Sequence, residues 1–353
     1  MKLKFIFLLS IILLSQLYPQ NYFYTGKDYG NETLINPVYV FINGGFDMLQ
    51  VGNRRDLSKL AFATGVKNVS RNLANPFKTI NNYGWWHFIS DQVLPLSLDK
   101  KNAQFLPNYT LHLLGGGLVY AETKEWYELH NYPYAGWLSA FTVMAYHFVN
   151  EAIENDKYIG DDVDPIADIY IFDLGSIWLF SYDNVKKFFR DELNFADWSL
   201  QPSVLIRNGE LHNMGQFFSM KWKLPFSENW HIFYFFGTHA IGGLSYKFEN
   251  GLAISAGAGA ATNQIIELDQ VVNKKTVGMV GSLGFFVDKN NSLLASLSIA
   301  RRTDYTANLN IYPGLVKIGS VSPGVWLAYT ETKNIIFGVS FSCIPLGGAY
   351  GFK

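Results

Sequence analysis

The sequence predicts an α+β membrane protein: an antiparallel transmembrane β-barrel of about 10–12 strands, with a helical section placed before the C-terminal strands. Three observations predict it. Charged residues are only 16% of the 353 and aromatics also 16%, whereas about a quarter of an average soluble domain is charged. From about Ser199 onward apolar residues recur with a period of two. No later stretch offers the roughly 18–20 uninterrupted apolar residues of a spanning helix. A net charge of -1 supplies no basic excess to recruit nucleic acid. An exported, low-charge chain of this kind is either a secreted sandwich or an outer-membrane barrel, and the strand chemistry favours the barrel.

Residues 1–20 read as a signal peptide, with Lys2 and Lys4 ahead of an apolar run. A single cysteine, Cys343, excludes an intramolecular disulfide. Residues 21–105 form an N-terminal segment with a strand and a helix. Pro37 to Phe46 reads as the strand, ending at Gly44-Gly45. Leu57 to Asn82 reads as the helix, and the scattered charges of Arg54, Arg55, Lys59, Lys67 and Arg71 read as a solvated or headgroup-facing surface. Trp85-Trp86, after the Asn81 to Gly84 turn, suits either a membrane–water boundary or a core anchor.

Residues 106–198 are the helical section. A helix over Thr110 to Leu129 contains Gly115-Gly116-Gly117, and each glycine costs about 1 kcal/mol in a helix relative to alanine. Close approach of another helix offsets that cost. Asn131-Tyr132-Pro133 breaks the chain, so this helix and the next form an antiparallel hairpin. In the second helix Ser139, Thr142, Tyr146, His147, Asn150, Glu151 and Glu154 follow steps of mostly three or four, a polar seam on a greasy rod. A third helix starts with Asp164 as cap and Pro165 in its first turn, and carries Asp168 and Asp173 through an apolar setting. A short charged helix over Asn184 to Leu193 lies outside.

Residues 199–353 hold nine or ten candidate strands. Val277, Met279, Gly281, Leu283, Phe285 and Val287 make one mostly apolar face opposite Thr276, Gly278, Ser282 and Gly284. Ile335, Phe337, Val339 and Phe341 alternate likewise with Gly338, Ser340 and Ser342. A wall with lipid on one side and a polar lumen on the other requires this alternation. Turn signals separate the strands at Glu249-Asn250-Gly251, Asp288 to Asn291 and Glu331 to Asn334. The aromatics Trp222, Trp230, Phe233, Tyr234, Phe235, Phe236, Tyr312, Trp326 and Tyr329 read as girdles at the strand ends.

Taken together, NYTLHLLGGG, EWYELH, HFVNEAIEN, DPIAD and DWSLQPS resemble an uncharacterised family of bacterial outer-membrane proteins that join a helical section to a β-barrel. The resemblance spans roughly residues 106–222. It implies residence in the bacterial outer membrane with outer-membrane lipids as partners, and it carries no activity.

The candidate chemistry lies in the helical section. His147 and Glu151 are four apart on one helix face, a spacing that suits two metal ligands or a histidine oriented by a carboxylate. His112 and Asp168, with Asp164, converge on them from neighbouring helices. In an enzyme, His147 and Glu151 are the catalytic centre and Asp168 and His112 its supporting shell, with Zn²⁺ or another divalent cation as the metal if one is bound. No H-E-x-x-H, G-x-S-x-G, P-loop, C-x-x-C or dinucleotide motif names a cofactor. Three uses of the seam stay open: mutual satisfaction of buried polar groups in a helical plug or cap, a hydrolase or transferase site for lipid or envelope glycolipid at the membrane surface, and a path for ligand or lipid transport. His212, His231 and His239 read as lumen or rim residues.

Overall fold

The computed structural model describes residues 21–51, 54–95, 106–269, 274–319, 321–342 and 344–352. The predicted signal at 1–20 and Cys343 lie outside the described residues.

The N-terminal segment is a strap followed by short helices. The strap is pinned by Glu125, whose buried carboxylate accepts the backbone N–H groups of Tyr22, Phe23 and Tyr24 at 2.8–2.9 Å. Helix α1 spans Pro37–Gly45, where the sequence had suggested a strand. Its β-branched and aromatic residues favour extended chain, but end chemistry and burial override them. The Asn36 side chain accepts from Val38 N and Tyr39 N at 3.0 Å, and Pro37 stands at the first helical position. Helices α2, Phe62–Ala74, and α3, Pro76–Tyr83, fill the region expected to be helical. In the short α4, Trp85–Phe88, Trp86 is 74% exposed, so it anchors no core.

The helical section contains the expected hairpin. A wide turn of π type, Leu106–Gly115, runs into α5, Gly116–Leu129, and α6 spans Ala135–Glu154. Ser139 Oγ donates to the Tyr120 carbonyl across the pair at 2.6 Å. The third helix is continuous but compound: α7, Asp164–Ala167, a π turn Asp168–Asp173, and α8, Leu174–Leu179. Asp164 is not its cap. The Asp162 carboxylate instead accepts the Asp164 N–H at 3.2 Å. Helix α9 covers Asp183–Asp191. Helix α6 is inverted relative to a surface helix of a soluble domain: Ser139, Thr142, Tyr146, His147 and Glu151 are buried, while Trp137 and Phe141 are exposed.

Beyond α9 the described residues form a 13-stranded sheet. Strands β1 Ala196–Asp197, β2 Ser203–Leu205 and β3 Leu211–His212 are short. The next ten are β4 Phe218–Lys223, β5 Trp230–Phe236, β6 His239–Lys247, β7 Leu252–Asp269, β8 Lys274–Lys289, β9 Ser292–Ala300, β10 Tyr305–Ile311, β11 Pro323–Thr330, β12 Ile335–Phe341 and β13 Ile344–Phe352. These ten form an antiparallel meander, and β13 then pairs in parallel with β2. The ladder runs from β1 through β4 to β13 and on to β2 and β3, so it does not close into the barrel the sequence suggested. Residues 198–202 lie between β1 and β2. The Ser199 carbonyl is taken by Tyr39 Oη and Tyr312 Oη, each at 3.0 Å, and the Leu200 carbonyl by Asn43 of α1 at 3.2 Å. The N–H groups of Trp198 and Leu200 still bond to the Phe217 and Gly215 carbonyls, so only the carbonyl side of this stretch is taken by side chains.

Alternation follows the expected faces. Val277, Met279, Leu283 and Phe285 point outward, with Leu283 45% and Phe285 48% exposed, while Ser282, Phe286 and Asp288 are buried. The inner face is filled. Trp198 packs near Phe233, Phe235 and Phe286 at centroid distances of 5.4–6.3 Å. Lys221 Nζ reaches both Asp288 oxygens at 2.8 Å. Of the aromatics expected as girdles, Trp222, Trp230 and Tyr329 are exposed, but Phe233, Phe235, Phe236, Tyr312 and Trp326 are core residues. Trp326 Nε1 donates inward to Ser203 Oγ at 2.8 Å.

Candidate functional site

The structure brings His112, His147, Glu151 and Asp168 together and adds Asp173 at their centre. His112 comes from the π turn before α5, His147 and Glu151 from α6, and Asp168 and Asp173 from the two ends of the π turn in the third helix. In a regular α-helix residues five apart diverge by about 140°. A π turn, bonded i to i+5, swings them nearly into line. Asp168 and Asp173 therefore face the same histidine.

The contacts differ from the pairing that spacing suggested. His147 Nδ1 lies 2.8 Å from Asp173 Oδ1, and His112 Nδ1 lies 3.1 Å from the same oxygen. His112 Nε2 points the other way, 3.4 Å from Asp168 Oδ2. Glu151 sits against Asp168, and Asn155 Nδ2 donates to its Oε2 at 3.5 Å. The two imidazoles overlap with centroids 4.5 Å apart. Gly116 leaves room beside His147, since a Cβ there would stand 3.3 Å from His147 Cε1 and from Ser176 Oγ. The glycine run thus accommodates side chains rather than another helix backbone: at Gly115 a Cβ would meet the Phe218 ring and at Gly117 the Phe180 ring. The close helix crossing is elsewhere, at Gly65 of α2 against Ala152 of α6.

All five side chains are buried or nearly so, and burial dominates their proton affinities. Burial raises the Glu151 and Asp168 carboxyls well above the usual range, and neighbouring carboxylates raise them further. Burial also pushes Asp173 up, but the His147 charge and the bonds from both histidines outweigh it and leave Asp173 lowered, hence ionised. Burial pulls His112 down, yet the Asp173 hydrogen bond and charge, then Glu151 and Asp164, raise it overall. His147 is lowered by burial and by His112, against the pull of Asp173. The cluster therefore holds an anionic carboxylate between two histidines of opposite tendency, which is a working arrangement for moving a proton.

Hydrogen bonding does not complete the cluster. His147 Nδ1, Asp173 Oδ2 and Asp168 Oδ1 are buried without an aligned hydrogen-bond partner. Each such atom costs on the order of 1–3 kcal/mol. Two groups of three can offer one ligand atom each within 4.8 Å of one another: His112, His147 and Asp173, and His112, Glu151 and Asp168.

A second polar cluster lies on the inner face of the sheet. Arg55, expected at the surface, is 3% exposed; it donates to Asp304 Oδ2 at 2.8 Å and sits 2.8 Å from His212 Nδ1. Arg302 reaches the same Asp304 carboxylate at 2.9–3.0 Å and His239 Nε2 at 3.1 Å. His212 and His239, expected as lumen or rim residues, are thus buried partners of these two arginines. These bonds tie the N-terminal segment to the turn between β9 and β10, and no local sequence signal pairs residue 55 with residue 304. No protein-family model, no curated protein and no solved structure matches this chain.

Proposed function

We propose that the protein is an integral protein of the bacterial outer membrane, with strands β4–β13 as its lipid-facing wall and the helical section as a plug or cap over the interruption between β1 and β2. One observation carries this reading: outward positions of the sheet are large and apolar, while inward neighbours such as Ser245, Ser255, Ser282 and Ser340 are buried. A water-facing sheet alternates the other way, and an apolar surface of this extent marks contact with lipid or protein. Exposed Trp222, Trp230 and Tyr329 near strand ends fit headgroup depth. The filled interior favours a plug over a channel. Among the described residues no helix is long and apolar enough to cross a membrane. Outer-membrane lipids are the proposed partners.

Fractionation tests the reading. The mature protein is expected in the outer-membrane pellet, resistant to high salt and released by detergent. Recovery in the soluble periplasm without detergent would overturn it. The second reading, a membrane-surface hydrolase or transferase acting on lipid or envelope glycolipid, is favoured by the unpartnered buried atoms of the histidine–carboxylate cluster. Under that reading Glu151→Gln and His147→Gln fold normally but fail to complement a deletion strain. Full complementation by both variants would remove it.

A further inference from the structure

We propose that His112, His147 and Asp173 bind one divalent cation of the zinc type, with Asp168 orienting His112 from behind. The inference is independent of membrane location and names a ligand for the cluster described above.

Two imidazoles and one carboxylate, with a position left for water, are the donor set of catalytic zinc sites. Tetrahedral bonds of about 2.0–2.1 Å place ligand atoms roughly 3.3 Å apart. Here Asp173 Oδ1 stands 2.8 Å from His147 Nδ1 and 3.1 Å from His112 Nδ1, so small movements would admit an ion. Aligned hydrogen bonds account for only part of this convergence. Only the His112 contact is aligned as a hydrogen bond, and His147 Nδ1 and Asp173 Oδ2 lack any such partner. Both residues are more than nine-tenths buried and their open atoms belong to groups that face each other. A cation would engage both.

The surroundings fit. A metal-bound histidine commonly gives its other ring N–H to a carboxylate, which fixes the tautomer. Asp168 Oδ2 stands 3.4 Å from His112 Nε2 and so favours a lone pair on Nδ1, toward Asp173 and His147. Ser176 Oγ, donating to the Asp173 carbonyl at 2.7 Å, steadies the turn that carries the carboxylate. The outside charges that weigh most on the cluster are Asp164 and Glu154, both acidic. Glu151 is placed in support, because Asp168 and Asn155 already occupy it.

The full chain, purified in detergent and stripped with chelator, is titrated with Co²⁺, whose visible spectrum reports tetrahedral nitrogen and oxygen coordination, and then with Zn²⁺ as competitor. One equivalent is expected to bind, with Zn²⁺ displacing Co²⁺ and a large excess of Mg²⁺ or Ca²⁺ failing to do so. His147→Gln and Asp173→Asn should each lose at least 100-fold in affinity, Asp168→Asn about 10- to 100-fold, and Glu151→Gln little. The parent spectrum alone decides the matter if a variant fails to fold. Absence of a tetrahedral Co²⁺ spectrum in the parent, unchanged affinity in His147→Gln, or a loss in Glu151→Gln equal to that in His147→Gln overturns the assignment.

Discussion

Gly65→Ala tests the packing that holds α6 in place. A Cβ at Gly65 would lie 1.8 Å from the carbonyl oxygen of Ala152 and 2.8 Å from its carbonyl carbon. Carbon and oxygen come no closer than about 3.3 Å without strain, so α2 must retreat from α6 by roughly 1.5 Å. Its obstacle is backbone, which cannot swing aside. The retreat loosens buried Asn68, Val69 and Asn72 on α2 and disturbs Glu151, which adjoins Ala152. Overpacking of this kind costs about 1–3 kcal/mol, and alanine returns up to about 1 kcal/mol of helix propensity. The net expectation is a loss on the order of 2 kcal/mol. Gly175→Ala is the control: a Cβ there meets only Leu113 Cδ1 at 3.5 Å, an ordinary contact, so it should gain up to about 1 kcal/mol. Gly116→Ala, with neighbours at 3.3 Å, should fall between them. Urea unfolding midpoints in detergent rank the three. A Gly65→Ala protein as stable as Gly175→Ala would refute the crossing.

Three further outcomes are expected. Leu283→Arg, on the outward face of β8, should cost about 2–4 kcal/mol if that position lies near a bilayer midplane; folding yields into liposomes equal to the parent would count against lipid contact. Glu125→Ala orphans three backbone N–H groups of the strap, and since a hydrogen bond to a charged group contributes about 1.5–3 kcal/mol, the strap should peel and be cleaved rapidly between residues 21 and 36 in limited proteolysis, against slow cleavage of the parent. Glu122 has its carboxyl pKa raised by burial, then by Asp197, Glu32 and Glu125; a raised carboxyl contributes fully below its ordinary value near 4.5 and loses that contribution as pH rises toward its folded value. Glu122→Gln should therefore flatten the decline in unfolding midpoint as pH rises above the ordinary value near 4.5, and identical slopes in parent and variant would dismiss the effect.

What the sequence made legible was whatever repeats at a regular interval. Period-two alternation located the strands and their outward face, and steps of three and four located the buried seam of α6. Irregular backbone hid the rest. Asp173 was visible as an acid in an apolar helix, but a 3.6-residue period turns it away from Asp168, and only the π turn brings both to His112. Pro37 to Gly45 carries β-branched and aromatic residues that suit a strand, but the Asn36-Pro37 start, a short signal with a stronger mechanism, makes it a helix. The run Phe233 to Phe236 suggested a girdle by composition alone, yet Phe233 and Phe235 pack inward on Trp198, and Phe236, on the opposite face, is buried against Phe195 and Phe218. Arg55 looked like surface charge because its partner, Asp304, is remote in sequence.

The seam of α6 divides according to how its polar atoms are satisfied. Toward its start the account of mutual satisfaction is complete: Ser139 donates to Tyr120, and Thr142 to the Leu138 carbonyl. Farther along, Asn150 bridges the Gly44 carbonyl and Asp47. Such contacts fix helix register and need no ligand. Between them stand Tyr146, His147 and Glu151, and here aligned hydrogen bonds are missing: at Tyr146 Oη and at His147 Nδ1, whose contact is the 2.8 Å ion pair to Asp173, on this helix, and at Asp168 Oδ1 and Asp173 Oδ2 on the helix opposite. Native interiors pair nearly all their buried polar atoms. These open atoms, on imidazole- and carboxylate-bearing faces, are the ones the proposed cation would engage. Register alone would be served as well by a fully paired network or by apolar residues of the same volume, so the cost of the open atoms argues for a site.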